Sequence, residues 1–528
     1  SCLVFLKIPV YSGAVFDAAL HRPTNMQKVS AFRGDLWPSI EKLYIRGSET
    51  YYKRTKRKRM TTTQEAHIQA QKAALQAGPP VLQVVRPCRV GDGILTFTLE
   101  EQERLRNVAA TFDQSIQFFI PASGSGSRMF AFLEEFLTQS GLELAEQAER
   151  FYSRLPEFAL FRKLPAAIQN AYHAGTLTLA ELIQFLLYPS GLNYASQPKA
   201  RIPFHIHEPV VLNAFQEHLS QNQALTKGPI AYHFTIQEEF ESAFLTDMNA
   251  LSALTSTTYE VTFSSQDKAT DAYVFDGQLQ IVNDIDGQPL RRPAGHGTLL
   301  QNLEALNAQY LLVKNIDNVQ HFSQRQLSIE NWQFLLGLQI EVRNALRGFL
   351  KQEDREGLLN WNARMGMFAQ ESLAALTTEE WKELLNRPLR VCGMVRNNGQ
   401  PGGGPFFVEI NGVLSKQIVE KAQLTNHPSA SQLLLQSAYF NPVLMVLSPC
   451  DLQDKPQALE QFTDQSSYFV VDKNQRGQAV RFIEQPGLWN GAMAHWNTLF
   501  VEVPSGTFSP VKTVLDLLDF AHQANKGA

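Results

Sequence analysis

The sequence is poor in the features that would place it outside the ordinary globular proteins. It has four cysteines in 528 residues, Cys2, Cys88, Cys392 and Cys450, with no CxxC pair and no Cys/His cluster. That spacing argues against a disulfide framework and against a zinc site built on thiolates, and it fits a reducing cytoplasm. No uninterrupted apolar run approaches the roughly 18 to 20 residues that span a bilayer, so a soluble protein without a membrane partner is expected. The amino-terminal SCLVFLKIPV lacks the basic, then apolar, then small-residue order of an export signal. No internal repeat or low-complexity tract is evident. What the chain does have is a large apolar complement, 44% hydrophobic residues with 19% charged, enough for a sizeable core and several domain-sized units.

Charge is unevenly spread. Residues 1–59 carry 12 Lys+Arg against 4 Asp+Glu, leaving 35 basic against 47 acidic groups in the rest. The body is therefore acidic, has no general attraction for nucleic acid, and must hold any anion locally. KRTKRKR at 53–59 reads either as a nucleic-acid or targeting tail or as a solvated extension ahead of a natural start at Met60. The second reading is preferred, with 1–59 set aside as a basic extension and read as non-native or disordered. A chain beginning at Met60 is expected to fold and to keep its activity.

From about residue 115 strand-like runs alternate with helix-like ones, the order of an α/β protein with a mixed, mainly parallel sheet. Strands are expected at SIQFFI, IAYHFTI, TYEVTFSS, AYVFD, YLLVKNI, RVCGMV, PFFVEI, LMVLS, SYFVV and TLFVEV. Helices are expected at EPVVLNAFQEHL, EEFESAFLTDMNAL and GTLLQNLEAL. The expected division is a helical and loop segment at 60–114, a nucleotide-binding core at 115–327, a helical insertion at 328–390 holding Trp332, Trp361 and Trp381, and the rest of the core with sugar-site elements and a C-terminal helix at 391–528.

The strongest local feature is PASGSGSRMF, residues 121–130, between one strand and one helix. Gly124, Ser125 and Gly126 would let a phosphate approach the backbone, the helix start would offer free N–H groups, and Arg128 would add a fork-shaped cation. The spacing is neither GxGxxG nor a P-loop, and a plain βα turn with an exposed arginine is the bland alternative.

That loop resembles the G-x-G-[ST]-R-[ML] loop of sugar-1-phosphate nucleotidyltransferases. Three further islands follow in the order of that superfamily. Pro198-Lys199 is similar to its Pro-Lys pair. GHGTLLQNLEALNAQYLLVKNIDNV, residues 295–319, resembles the eukaryotic-type UDP-N-acetylhexosamine pyrophosphorylases, with Gly295, Gly297 and an Asp317-Asn318 pair after a strand. TFSPVK is similar to their [DE]-F-[SA]-P-[LV]-K element, although Thr507 replaces the acidic residue. From about residue 85, including RVGDGI, the chain also looks like an uncharacterised bacterial family known only as a domain of unknown function.

The resemblance implies a three-layer nucleotidyltransferase-like fold and a Mg²⁺-dependent reaction joining an NTP, UTP first, to a sugar 1-phosphate with release of pyrophosphate. It implies Arg128, Lys199 and Lys512 as phosphate-handling catalytic residues and Asp317 as metal ligand. Gly124, Ser125, Gly126, Gln266, Gly295 and Gly297 would contact the nucleotide, with Gln266 at the base. Glu409 and Asn441 would contact the sugar side, although RVCGMVRNNGQPGGGPFFVE departs from the superfamily's sugar-contact sequence. His296 is expected to pack or hydrogen-bond rather than to act as a base. A non-catalytic nucleotide-sugar sensor of the same fold is the alternative.

Overall fold

The computed structural model describes residues 62–524 apart from 140, 400–401, 411 and 476–477, so the expectations for 1–59 lie outside the described residues. The strand sequences pair as their apolar runs require. In chain order the main strands are β1 (Ile116–Pro121), β2 (Ile230–Thr235), β3 (Glu260–Ser264), β4 (Leu311–Val313), β5 (Leu389–Arg396), β6 (Met445–Ser448) and β7 (Asn497–Glu502). They lie in the order β3-β2-β1-β4-β6-β5-β7, extended beyond β7 by Gly93–Leu95 and Arg89–Val90, with Tyr439–Phe440 beside β5. All neighbours along the path run parallel except those of β6, which is antiparallel to both β4 and β5. The fold is thus mixed α/β on a mainly parallel sheet.

Burial on both faces explains the near-continuous apolar runs of these strands. Alternate residues of β1 and β4 enter different cores: Phe118, Ile120 and Leu312 join one, while Phe119, Leu311 and Val313 join the other. Phe118 stacks on Tyr232 of β2 at 5.4 Å and meets Trp332 edge-on at 5.7 Å. Trp332 belongs to the helix Gln326–Gln352, which therefore forms part of a layer on the sheet. The expected helical insertion is not a lobe standing apart. Its Trp332 and Trp381 are buried in the main core, and a Cβ on Gly337 would meet the Leu105 carbonyl oxygen at 1.9 Å, so helices 326–352 and 99–111 cross backbone to backbone.

Three other expectations shift. Among the described residues the expected C-terminal helix is two short 3-10 segments, Val514–Leu518 and Phe520–His522. The 60–114 segment is not only helix and loop, because Val84–Pro87 pairs with Gly404–Ile410, which pairs in turn with Val413–Val419 in a separate three-stranded sheet. In EPVVLNAFQEHL the helix starts only at Ala214. Val210–Asn213 instead forms a hairpin with Pro203–His207, and Asn213 caps the helix reciprocally with Gln216. β-Branched valines suit the strand, and an Asn with Gln three residues later is a helix-start signal that outweighs the apolar period before it. Among the described residues no helix is long and apolar enough to cross a membrane.

Candidate functional site

The order β3-β2-β1-β4 makes a topological switch. The chain steps from β1 outward through β2 and β3, then returns to place β4 on the other side of β1. Because these four strands are parallel, the segments leaving them share the carboxyl edge of the sheet, where such folds open a crevice. The glycine loop leaves β1 and Asp317 follows β4, on the two sides of that switch.

Hydrogen bonds sew the sequence islands together there. The Lys199 N–H donates to the Gly124 carbonyl at 2.9 Å, and the Gly126 N–H donates to the Gln197 carbonyl at 2.8 Å, closing a bridge between Ser125 and Pro198. On the other side the Val511 N–H donates to the Asp317 carbonyl at 3.0 Å, with a bridge between Asn318 and Pro510. Side chains then cross the gap. Lys199 Nζ lies 2.8 Å and Lys512 Nζ 2.9 Å from Asp317 Oδ2. Residues 118 and 195 positions apart in the chain thus share one carboxylate oxygen.

The electrostatics of this trio are lopsided. Burial would lift the Asp317 carboxyl, but the two ammonium groups outweigh it and hold the pKa below the usual carboxylate range. Two cations face one anion here, with the Asp516 carboxylate close enough to act on Lys199 as well. Lys199 is mostly buried, whereas the Lys512 side chain is 54% exposed and free to exchange partners at little cost. Asp317 Oδ1 is buried without a hydrogen-bond partner, which leaves one oxygen for a hard cation. Asn318 cannot supply another easily: its amide donates to the Thr507 carbonyl and its oxygen accepts from the Ser509 N–H. One free carboxylate oxygen fits magnesium arriving with phosphates rather than waiting in a protein cage.

The glycine loop departs from expectation in one respect. Its helix start does not offer all its N–H groups to a ligand, because that of Gly126 is spent on Gln197 and that of Ser127 on Ser125 Oγ at 3.1 Å. Gly126 is needed for the seam itself, since a Cβ would sit 3.1 Å from the Gln197 carbonyl and 3.2 Å from that of Tyr194. Gly124 is exposed with open space where its Cβ would be, and Arg128 is exposed on the same loop.

The other expected residues are placed differently. Gln266 follows β3 at the same sheet edge, and Asn302 ties the preceding Ser264 hydroxyl and Ser265 carbonyl to the helix Leu300–Glu304. Gly295 has φ +79° and packs on Glu484, while a Cβ on Gly297 would lie 2.0 Å from the Pro486 carbonyl oxygen. On the side where a Cβ would stand, these glycines admit the protein's own Glu484 and Pro486. Between them His296 stacks on Trp489 at 4.5 Å and accepts from the Leu488 N–H at 2.9 Å. Asn441 is buried with its amide donating to the Gly393 carbonyl and its oxygen accepting from Val443 N–H, so it braces backbone. Glu409 is exposed on the separate three-stranded sheet opposite Leu414.

Sequence reading missed Lys314, the first residue after β4 and three residues before Asp317. It is wholly buried, no hydrogen-bond partner meets its Nζ, and burial pulls its pKa down to about 7. Next to it His218, whose ring bonds the Ile316 carbonyl at 3.0 Å, is brought to about 3 by burial, with Lys314 adding to the effect. A lysine within an apolar strand was the available signal.

The chain belongs to a family described as a domain of unknown function (DUF4301), which matches residues 52–523. No curated protein matches it. Among solved structures it is similar to a uridine diphosphate N-acetylglucosamine pyrophosphorylase from Trypanosoma brucei in complex with inhibitor, at 13% identity over 93% of this chain and 84% of that one, with a TM-score of 0.47. A Trypanosoma brucei protein described as UDP-glucose phosphorylase is similar at 14% identity over 86% and 74%, TM-score 0.43. A mutant Leishmania major UDP-glucose pyrophosphorylase in complex with UDP-glucose is similar at 12% identity over 87% and 75%, TM-score 0.41.

Proposed function

We propose that this protein is a nucleotidyltransferase that joins an NTP, UTP first, to a sugar 1-phosphate and releases pyrophosphate. The observation that carries this reading is the meeting of the glycine loop, Lys199, Asp317 and Lys512 across the switch between β1 and β4. A sugar phosphate is already a nucleophile, so the reaction needs alignment and charge cancellation more than covalent help. The Lys199 and Lys512 ammonium groups would attract the triphosphate. Lys512, half exposed, would release Asp317 and follow a phosphate oxygen, while the more buried Lys199 would stay to steady the leaving pyrophosphate. Arg128, exposed on the glycine loop, would hold the outer phosphates, and Gln266 would meet the base from the end of β3. Asp317, through its unpartnered Oδ1, would hold magnesium, which would supply charge withdrawal at the α-phosphate.

The direct test is a screen of NTPs against sugar 1-phosphates with Mg²⁺, read by pyrophosphate release. Nucleotide sugars that bind and raise thermal stability while no pair yields pyrophosphate would replace the enzyme with a sensor. Gly124→Ala sharpens the test because its Cβ enters open space and should leave the unfolding free energy within about 0.5 kcal/mol of the parent. If phosphate meets the loop there, the KM for the NTP should rise several-fold. An unchanged KM would remove Gly124 from the site.

A further inference from the structure

The hairpin after the Pro198–Lys199 turn carries a cluster that nucleotide chemistry leaves unused. His205 and His207 lie two apart on the strand Pro203–His207, so extended backbone sends both imidazoles to one face. The return strand runs directly into the helix Ala214–Gln221, pinned by the Asn213–Gln216 cap, and its fourth residue, Glu217, comes back against that face. His205 Nδ1 lies 2.8 Å and His207 Nε2 2.5 Å from Glu217 Oε1, and one donor atom from each of the three residues falls within 4.8 Å of the others. Glu217 is completely buried, and its second oxygen, Oε2, has no hydrogen-bond partner.

Outer contacts hold both rings in place. His205 Nε2 bonds His522 Nδ1 at 3.0 Å, bringing the carboxyl-terminal segment onto the cluster. The His207 ring stacks on His321 at 4.5 Å, and His321 Nε2 donates to the Ile206 carbonyl at 3.0 Å, between the two strand histidines. Rings oriented through their far nitrogens or by stacking are what a metal site asks of its second layer.

We propose that His205, His207 and Glu217 form a binding site for a zinc-type divalent ion, separate from the Asp317 centre and independent of the nucleotide reading. Two imidazoles and one carboxylate are a borderline-soft donor set that suits zinc, where magnesium and calcium would demand an oxygen cage. Tetrahedral bonds of about 2.0 to 2.1 Å need donors about 3.3 Å apart, so each of the two His–Glu217 distances would open by less than about 1 Å. His207 keeps a fifth of its side chain exposed, giving water a route to the fourth position.

The test uses the whole chain, stripped with chelator and titrated with Zn²⁺ and then Co²⁺. The proposal expects about one zinc per chain, a higher unfolding midpoint with zinc, and visible cobalt bands of tetrahedral type. His207→Ala and Glu217→Gln should each weaken zinc about a hundredfold or more, while His173→Ala, at an exposed residue elsewhere, should not. Fewer than about a tenth of an equivalent of zinc, with no cobalt bands, on the unsubstituted chain would overturn it whatever the variants do. Full zinc retention by a folded His207→Ala protein would overturn it equally.

Discussion

Replacing Asp317 with asparagine is expected to lower turnover by about 10² to 10³ and to destabilise the fold at the same time. The first effect follows from the proposed reaction, where a neutral amide is a poor ligand for a hard cation and no longer sets the two lysines against a phosphate. The second follows from burial. Lys199 is 14% exposed in its side chain and Asp317 9%, and stripping the anion from such a pair leaves a buried ammonium uncompensated. Breaking a buried pair from one side costs about 3–5 kcal/mol. Lys512 adds little to this cost because it can turn to solvent.

The same carboxylate sets a pH dependence. Its folded pKa is depressed, so its contribution is fully present above the unfolded value of about 3.9 and is lost as pH falls through the lower folded value. Urea unfolding at pH 3 and at pH 7 should show the penalty of Asp317→Asn shrinking toward acid. A penalty unchanged between the two would mean that the ion pair does not carry it. If Asp317→Asn turns over as fast as the parent at neutral pH, the metal assignment fails.

Gly297→Ala should damage folding rather than nucleotide binding. The added Cβ would lie 2.0 Å from a backbone oxygen of Pro486, which cannot rotate away as a side-chain tip could. Overpacking of this kind costs about 1–3 kcal/mol, and a backbone obstacle puts it at the upper end. Chemical unfolding should show the loss directly. A variant of parental stability with a raised nucleotide KM would instead return Gly297 to the ligand surface. Gly124→Ala is its opposite, since there the missing side chain opens on space.

These two glycines show how far the sequence reaches. Both stand in G-x-G loops, and local pattern assigns them one role. Which of them faces a crevice depends on where residues far along the chain return, and Pro486 is 189 positions from Gly297. His205, His207 and Glu217 were equally silent. Two histidines on a short stretch and a glutamate ten residues later match no ligand spacing until a hairpin folds one against the other. Lys314 was passed over because its neighbours made the stretch read as ordinary strand.

By itself the sequence determined the mixed α/β class, the seven main strands β1 to β7, and the glycine loop between a strand and a helix. Those depend on apolar periodicity and turn chemistry within a few residues. Only the tertiary structure decided that Lys199 and Lys512 close on one oxygen of Asp317, that helix 326–352 is a layer of the core, and that Asn441 braces backbone. The physical reason is that charge pairing, desolvation and steric exclusion act across space and do not weaken with separation along the chain.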